Sequence, residues 1–177
     1  MKERKLNRYL RYIVIDILIA AGVSIFLVTY VASAYKIEGN SMETVLSNQE
    51  RIIISKWGAK DHLHRFDIVV LYKPDDPRKS IIKRVIGLPG EIIEIREGDV
   101  YIDGRPLPEP YLTKEKDIIF RSIRMNPLLI PRDYYFVLGD NRTISQDSRF
   151  FGPVHREYII GKTFFRYWPF SRWGKIE

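Results

Sequence analysis

Three histidines, a short Gly-Asn-Ser-Met segment and a lysine set among aliphatic residues are the places where this sequence could hold chemistry. The chain has no cysteine, which removes disulfides, thiolate metal sites and a cysteine nucleophile together. Nothing around His62, His64 or His155 nominates a carboxylate partner for an imidazole, so a histidine triad is not indicated. Asp61, His62 and His64 lie in a polar loop without the spacing of a third ligand, and they read as surface residues; no metal and no cofactor is expected. Gly39-Asn40-Ser41-Met42-Glu43 lacks the closing glycine of a nucleophile elbow, and no phosphate-binding glycine loop is present.

Lys83 stands apart. In Ser80-Ile81-Ile82-Lys83-Arg84-Val85-Ile86 it shares one strand face with Ile81 and Val85, whereas Arg84 shares the other with Ile82 and Ile86. One of these two charges must point toward an apolar surface. Burial disfavours the charged form of a lysine, whose ordinary pKa is ~10.4, and can leave a neutral amine that serves as a base. An arginine cannot be deprotonated in this way. The pattern also fits a lysine whose stem lies along a half-exposed strand with its ammonium in water, and on the residues alone that plainer reading leads.

The elements that would position these residues fall into three parts. Residues 1–11 are a basic start, with Lys2, Arg4, Lys5, Arg8 and Arg11 against Glu3. Residues 12–34 are an apolar run interrupted by Asp16 and long enough to cross a bilayer, so it reads as an uncleaved anchor. Ala32-Ser33-Ala34 at its end imitates a signal-peptide cleavage site and raises self-cleavage there. Residues 35–177 are predicted as an extracytoplasmic β-domain, with strands at 51–55, 67–72, 80–86, 91–95, 99–103, 117–123, 134–138 and 158–167. Turn residues separate them, including Pro74-Asp75-Asp76-Pro77, Leu88-Pro89-Gly90 and Pro127. The expected fold is mainly β, an antiparallel sheet domain preceded by one transmembrane helix.

Four segments resemble, in order and approximate spacing, the boxes of the bacterial type I signal peptidases. They are Gly39-Asn40-Ser41-Met42, Arg65-Phe66-Asp67-Ile68-Val69-Val70, Ile82 to Gly90, and Gly139-Asp140-Asn141-Arg142 followed by Ser145, Asp147, Ser148 and Arg149. The resemblance implies a membrane-bound serine endopeptidase that removes signal peptides after small residues in an Ala-x-Ala pattern. It makes Ser41 the nucleophile and Lys83 the general base. Ser145 would hydrogen-bond the lysine, and Asp147 with Arg149 would hold that loop as an ion pair. Some members of the family place a hydroxyl two residues before the serine in the oxyanion hole. Gly39 stands there in this chain, so a backbone or water donor must serve. The substrate would lie as a strand along Tyr35 to Gly39 and Ser80 to Ile82, with Ile37 and Ile82 lining shallow apolar pockets.

One departure from the family is that Glu43-Thr44-Val45 replaces x-Pro-Thr, which leaves the turn after the serine without its proline. It motivates one alternative, a signal-peptidase-like accessory protein with weak or no protease activity. A membrane-tethered structural β-domain is the other. The net charge of +7 is distributed along the chain among acids such as Glu91, Glu94 and Glu97, as on a solvated surface. The stretch from Phe164 to Trp173 interleaves aromatics with Arg166 and Arg172, which fits contact with the membrane interface and equally, for part of it, a final core strand with an aromatic end. Expected partners are signal peptides of exported preproteins and membrane lipid, with the translocation machinery nearby and no nucleic acid.

Overall fold

A computed structural model describes residues 2–112 and 118–176. Its one long helix, α1 (Lys2–Phe26), is followed by a widened turn at Leu27–Val31. From Tyr9 to Val31 the segment is long and apolar enough to cross a membrane, and its large apolar side chains, such as Leu18 and Ile25, have no protein cover. The helical span therefore ends before Ala32. Ala32, Ser33 and Ala34, read above as the end of the apolar run, are already strand.

That strand, β1 (Ala32–Lys36), pairs antiparallel with β2 (Arg51–Ser55). Next come β3 (Ile68–Lys73) and the long β4 (Asp76–Gly87). A smaller unit follows with β5 (Ile92–Arg96), β6 (Asp99–Ile102) and β7 (Arg105–Pro106). After α2 (Ile118–Ser122) come β8 (Met125–Leu129) and β9 (Tyr134–Leu138). The chain closes with α3 (Ser148–Phe151), β10 (Val154–His155), β11 (Ile159–Trp168) and β12 (Gly174–Lys175). The main sheet runs β1-β2-β11-β3-β4-β9-β10 with β12 added to β11, and the second sheet runs β7-β6-β5-β8. All the strand pairings are antiparallel.

Three apolar clusters hold these layers, and β4 touches each of them. Val85 packs with Val69, Leu71 and Val137. Ile82 lies against Ile37, Met42 and Val70, and Ile86 against Ile93, Ile130 and Phe136. A strand gripped from three directions has little freedom to slide, which suits the element that carries Lys83.

Two expectations need correction. The run at 117–123 was predicted as a strand, but Ile118–Ser122 forms a single helical turn, with Phe120 buried near Gly98. So short an apolar run has no period long enough to separate the two conformations, and the inward side chain decides. Asp117 lies outside the described residues. Pro127, read as a turn residue, sits within β8. β8 is an edge strand paired only with β5, where a missing N–H costs no ladder bond.

The register of β1 bears on self-cleavage. Ser33 pairs with Ile54 and Ala34 with Ile53, which commits this segment to the sheet only a few residues before Ser41. An extended strand cannot turn back onto a serine so close along the chain. The purified chain is expected to keep its intact mass of 20.9 kDa through prolonged incubation. A shorter species beginning at Tyr35 would contradict this placement.

Candidate active site

Ser41 begins a tight turn at 41–46, in which the N–H groups of Val45 and Leu46 both donate to the Met42 carbonyl, at 3.0 and 2.7 Å. Met42 and Leu46, four residues apart, are buried in the cluster around Ile37 and Ile52. They anchor one face of the turn and leave Ser41 on the other, partly exposed in a cleft. Gly39, just before it, has a φ of 94°, in the region that favours glycine, and its N–H donates to Asn48 Oδ1 at 3.2 Å. That N–H is already engaged within the loop.

Lys83 comes to the same point from β4. Its Nζ lies 2.8 Å from Ser41 Oγ, and the residue is 3% exposed. Burial is the largest influence on the amine and pushes its pKa down from 10.5 to about 8. Asp147 pulls upward, Arg149 opposes it, and Asp140 adds a smaller upward pull. Among the charged neighbours, Asp147 would do most to keep the ammonium, but it is itself bound by Arg149. Arg149 Nε and Nη2 donate to its two oxygens at 2.7 and 2.8 Å. The Asp147 carboxylate also accepts from Gly139 N at 3.0 Å.

The sequence pattern left one of the neighbouring charges to be buried, but both are. Arg84 is 2% exposed and donates to both oxygens of Asp140, at 2.9 and 2.7 Å, and to the Phe66 carbonyl at 3.0 Å. Its guanidinium lies 4.0 Å from the centre of the Tyr111 ring. Asp140 also accepts from Thr44 Oγ1 at 3.2 Å, which ties the serine turn to β4. The proline-free turn is thus held by a side chain that proline could not supply. Arg142 donates to the Gly139 carbonyl and to Glu109, joining the loop after β7 to the same region. Neither Thr44 nor Glu109 was nominated from sequence. A usable signal existed only for Asp140, because a second cation beside Lys83 in an alternating strand requires a buried acid.

The 139–149 segment reaches the serine through its backbone. Asn141 N donates to the Ser41 carbonyl at 3.0 Å, and a Cβ on Gly139 would lie 2.7 Å from that carbonyl oxygen. Only glycine permits so close an approach. Ser145 differs from expectation. Among the described residues its buried Oγ has no hydrogen-bond partner, and it is packed against Gly139 rather than bonded to Lys83. Asp61 pairs with Arg156 at 3.3 Å, away from this cleft.

The cleft itself, about 300 Å³, is lined by Tyr35 to Gly39, Ser41, Met42 and Ser80 to Lys83. Two strand edges border it. β1 lies at the end of the main sheet, and among the described residues the first half of β4 pairs with β3 alone, because its contacts with β9 begin at Arg84.

The family model "Signal peptidase, peptidase S26" matches residues 9–168. The chain belongs to this signal peptidase family. Signal peptidase IB of Staphylococcus aureus (strain Mu50 / ATCC 700699) is 35% identical over 174 residues, covering 89% of each chain. The probable signal peptidase I-2 of Synechocystis sp. is 36% identical over 154 residues, covering 84% of this chain and 68% of that protein. A signal peptidase I crystal structure from Enterococcus faecalis V583 has a TM-score of 0.51 and 34% identity, over 58% of this chain and 97% of the other. Membership in the signal peptidase family makes the chain a serine endopeptidase acting on the signal peptides of preproteins. The mainly antiparallel fold with its apolar N-terminal helix agrees with that family.

Because Arg149 neutralises Asp147 beside Lys83, Arg149→Met is expected to leave an unbalanced carboxylate that favours the ammonium. The midpoint of the pH dependence of kcat/KM should rise by roughly one unit. An unchanged midpoint in a folded variant would show that the pair does not govern the lysine.

Proposed function

We propose that the chain cuts signal peptides from exported preproteins with Ser41 as nucleophile and Lys83 as general base. The carrying observation is the 2.8 Å contact between the serine hydroxyl and a buried amine whose pKa is lowered to about 8. Neutral Lys83 takes the hydroxyl proton while Oγ bonds to the scissile carbonyl carbon. The ammonium so formed gives a proton to the leaving amine as the C–N bond breaks. A water molecule, deprotonated by the same amine, then releases the acyl group and restores the serine.

The Ser41 backbone N–H is the proposed oxyanion donor, since Gly39 carries no hydroxyl and its N–H is bound to Asn48. Ser145, whose hydroxyl has no hydrogen-bond partner among the described residues, is available to the lysine during proton transfer. Asp147 and Arg149 hold the loop that carries Ser145, and Arg149 Nη2 also donates to the Ser145 carbonyl at 3.2 Å.

The substrate adds as a strand between the two edges beside the cleft, so main-chain bonds align the scissile peptide with Ser41. Ile37 and Ile82, packed in the same apolar cluster, form the wall that accepts a methyl group and refuses longer side chains. This favours Ala-x-Ala before the cut. The membrane helix holds the N-terminus in the cytoplasm, as its basic flank directs, and puts the β-domain outside.

The test is cleavage of a preprotein bearing an Ala-x-Ala site by the purified full-length chain in detergent. Wild type should cut after the second alanine, while Ser41→Ala and Lys83→Ala lose about 10³-fold or more in kcat. Because only the neutral amine accepts a proton, kcat/KM should rise with pH through about 8. Equal activity in all three proteins would remove both assignments.

A further inference from the structure

Arg166, largely buried, and Arg172, at the surface, both reach a buried carboxylate from the aromatic stretch near the end of β11. Around them Phe164, Trp168, Phe170 and Trp173 are exposed, but the two guanidiniums converge on Glu50. Arg166 Nη1 lies 3.1 Å from Glu50 Oε2, and Arg172 Nη1 lies 2.6 Å from Oε1. The Glu50 side chain is 4% exposed, so its charge is shielded from water and depends on these partners. Arg166 Nε also donates to the Arg172 carbonyl at 2.6 Å, which fixes the last turn of the chain against β11.

The same arginines reach the turn that carries Ser41. Arg166 Nη1 and Arg172 Nη2 both donate to the Val45 carbonyl at 3.0 Å, and Arg172 Nη1 donates to Ser47 Oγ at 2.9 Å. Glu50 grips the other end through its backbone, because its carbonyl accepts from Ile37 N at 2.8 Å. Residues 37 and 45 bracket Ser41, and both are tied to one buried carboxylate residue. Proton transfer between a hydroxyl and an amine requires their separation to be held within fractions of an ångström.

We propose that Glu50, Arg166 and Arg172 are positioning residues for Ser41, forming a clamp from the C-terminal end of the chain that fixes the serine turn over Lys83. The proposal rests on Ser41 acting as the nucleophile. The clamp acts through the Val45 carbonyl and does not touch the scissile bond. Loosening it would let the turn drift, lengthen the contact with Lys83 and admit water to the ammonium. The charged groups that face Lys83, namely Asp147, Arg149 and Asp140, and Arg84 beside it on β4, are untouched by changes to the clamp.

Steady-state kinetics across pH on the full-length chain in detergent, with an Ala-x-Ala preprotein, tests this. Arg172 is partly exposed, so Arg172→Ala is the first variant, with Glu50→Gln as the second and Arg172→Lys as the conservative control. For Arg172→Ala we expect kcat to fall five- to tenfold with KM within twofold. The midpoint of kcat/KM against pH should move upward by half a unit or more, and Arg172→Lys should recover part of both. Wild-type kcat and midpoint in Arg172→Ala and Glu50→Gln would overturn the clamp. So would a fall in kcat with an unmoved midpoint, the result of a smaller folded fraction alone. An inactive wild type would instead remove the nucleophile assignment, and the clamp with it.

Discussion

A lysine amine held out of water beside a serine hydroxyl is the constraint around which this molecule is arranged. Burial alone would favour the neutral amine, but a buried site also gathers compensating acids, and any acid left free near Lys83 would restore its charge. The structure answers by giving each nearby carboxylate its own arginine. Asp147 is held by Arg149 and Asp140 by Arg84, each through two oxygens. Breaking either pair leaves a buried charge uncompensated, an effect of about 3–5 kcal/mol in comparable sites. Each pair therefore holds the fold together here as well as keeping its carboxylate from favouring the ammonium of Lys83.

The second requirement is that Ser41 stays against that amine although it sits in a loop. Its turn has contacts on every side. Met42 and Leu46 are buried below it, Thr44 bonds to Asp140, the Ser41 carbonyl accepts from Asn141, and the Val45 carbonyl accepts from two arginines. The contacts come from the turn's own apolar side chains, from the 140–141 segment and from the arginines near the end of β11, and they hold the turn without a proline. Two strand edges beside the cleft, β1 and the first half of β4, complete the arrangement.

Much of this was legible in the residues. The apolar run before Ala32, the alternating strands and the Lys83 box are local patterns, and the antiparallel sheets follow from them. Ser41 and Lys83 became candidates through their boxes, and their contact is what an alternating strand beside a Gly-Asn-Ser-Met turn can deliver. The alternating strand called for a buried acid opposite Arg84, but the pairings of Arg142 with Glu109 and Arg166 with Glu50 were not legible, because long stretches of chain separate them. Pairings of that kind depend on strand order, in which β11 inserts between β2 and β3. Ile118–Ser122 was misread because a single turn carries no periodicity.

The most direct measurement is the titration of Lys83 itself, followed by the NMR shift of its side-chain carbon next to the amine in lysine-labelled full-length protein, assigned with Lys83→Arg. The expected midpoint is near 8. A midpoint at the ordinary lysine value, above about 10, would cut the neutral fraction at pH 7 from about one in ten to about one in a thousand or less and contradict the role of the buried amine as the base.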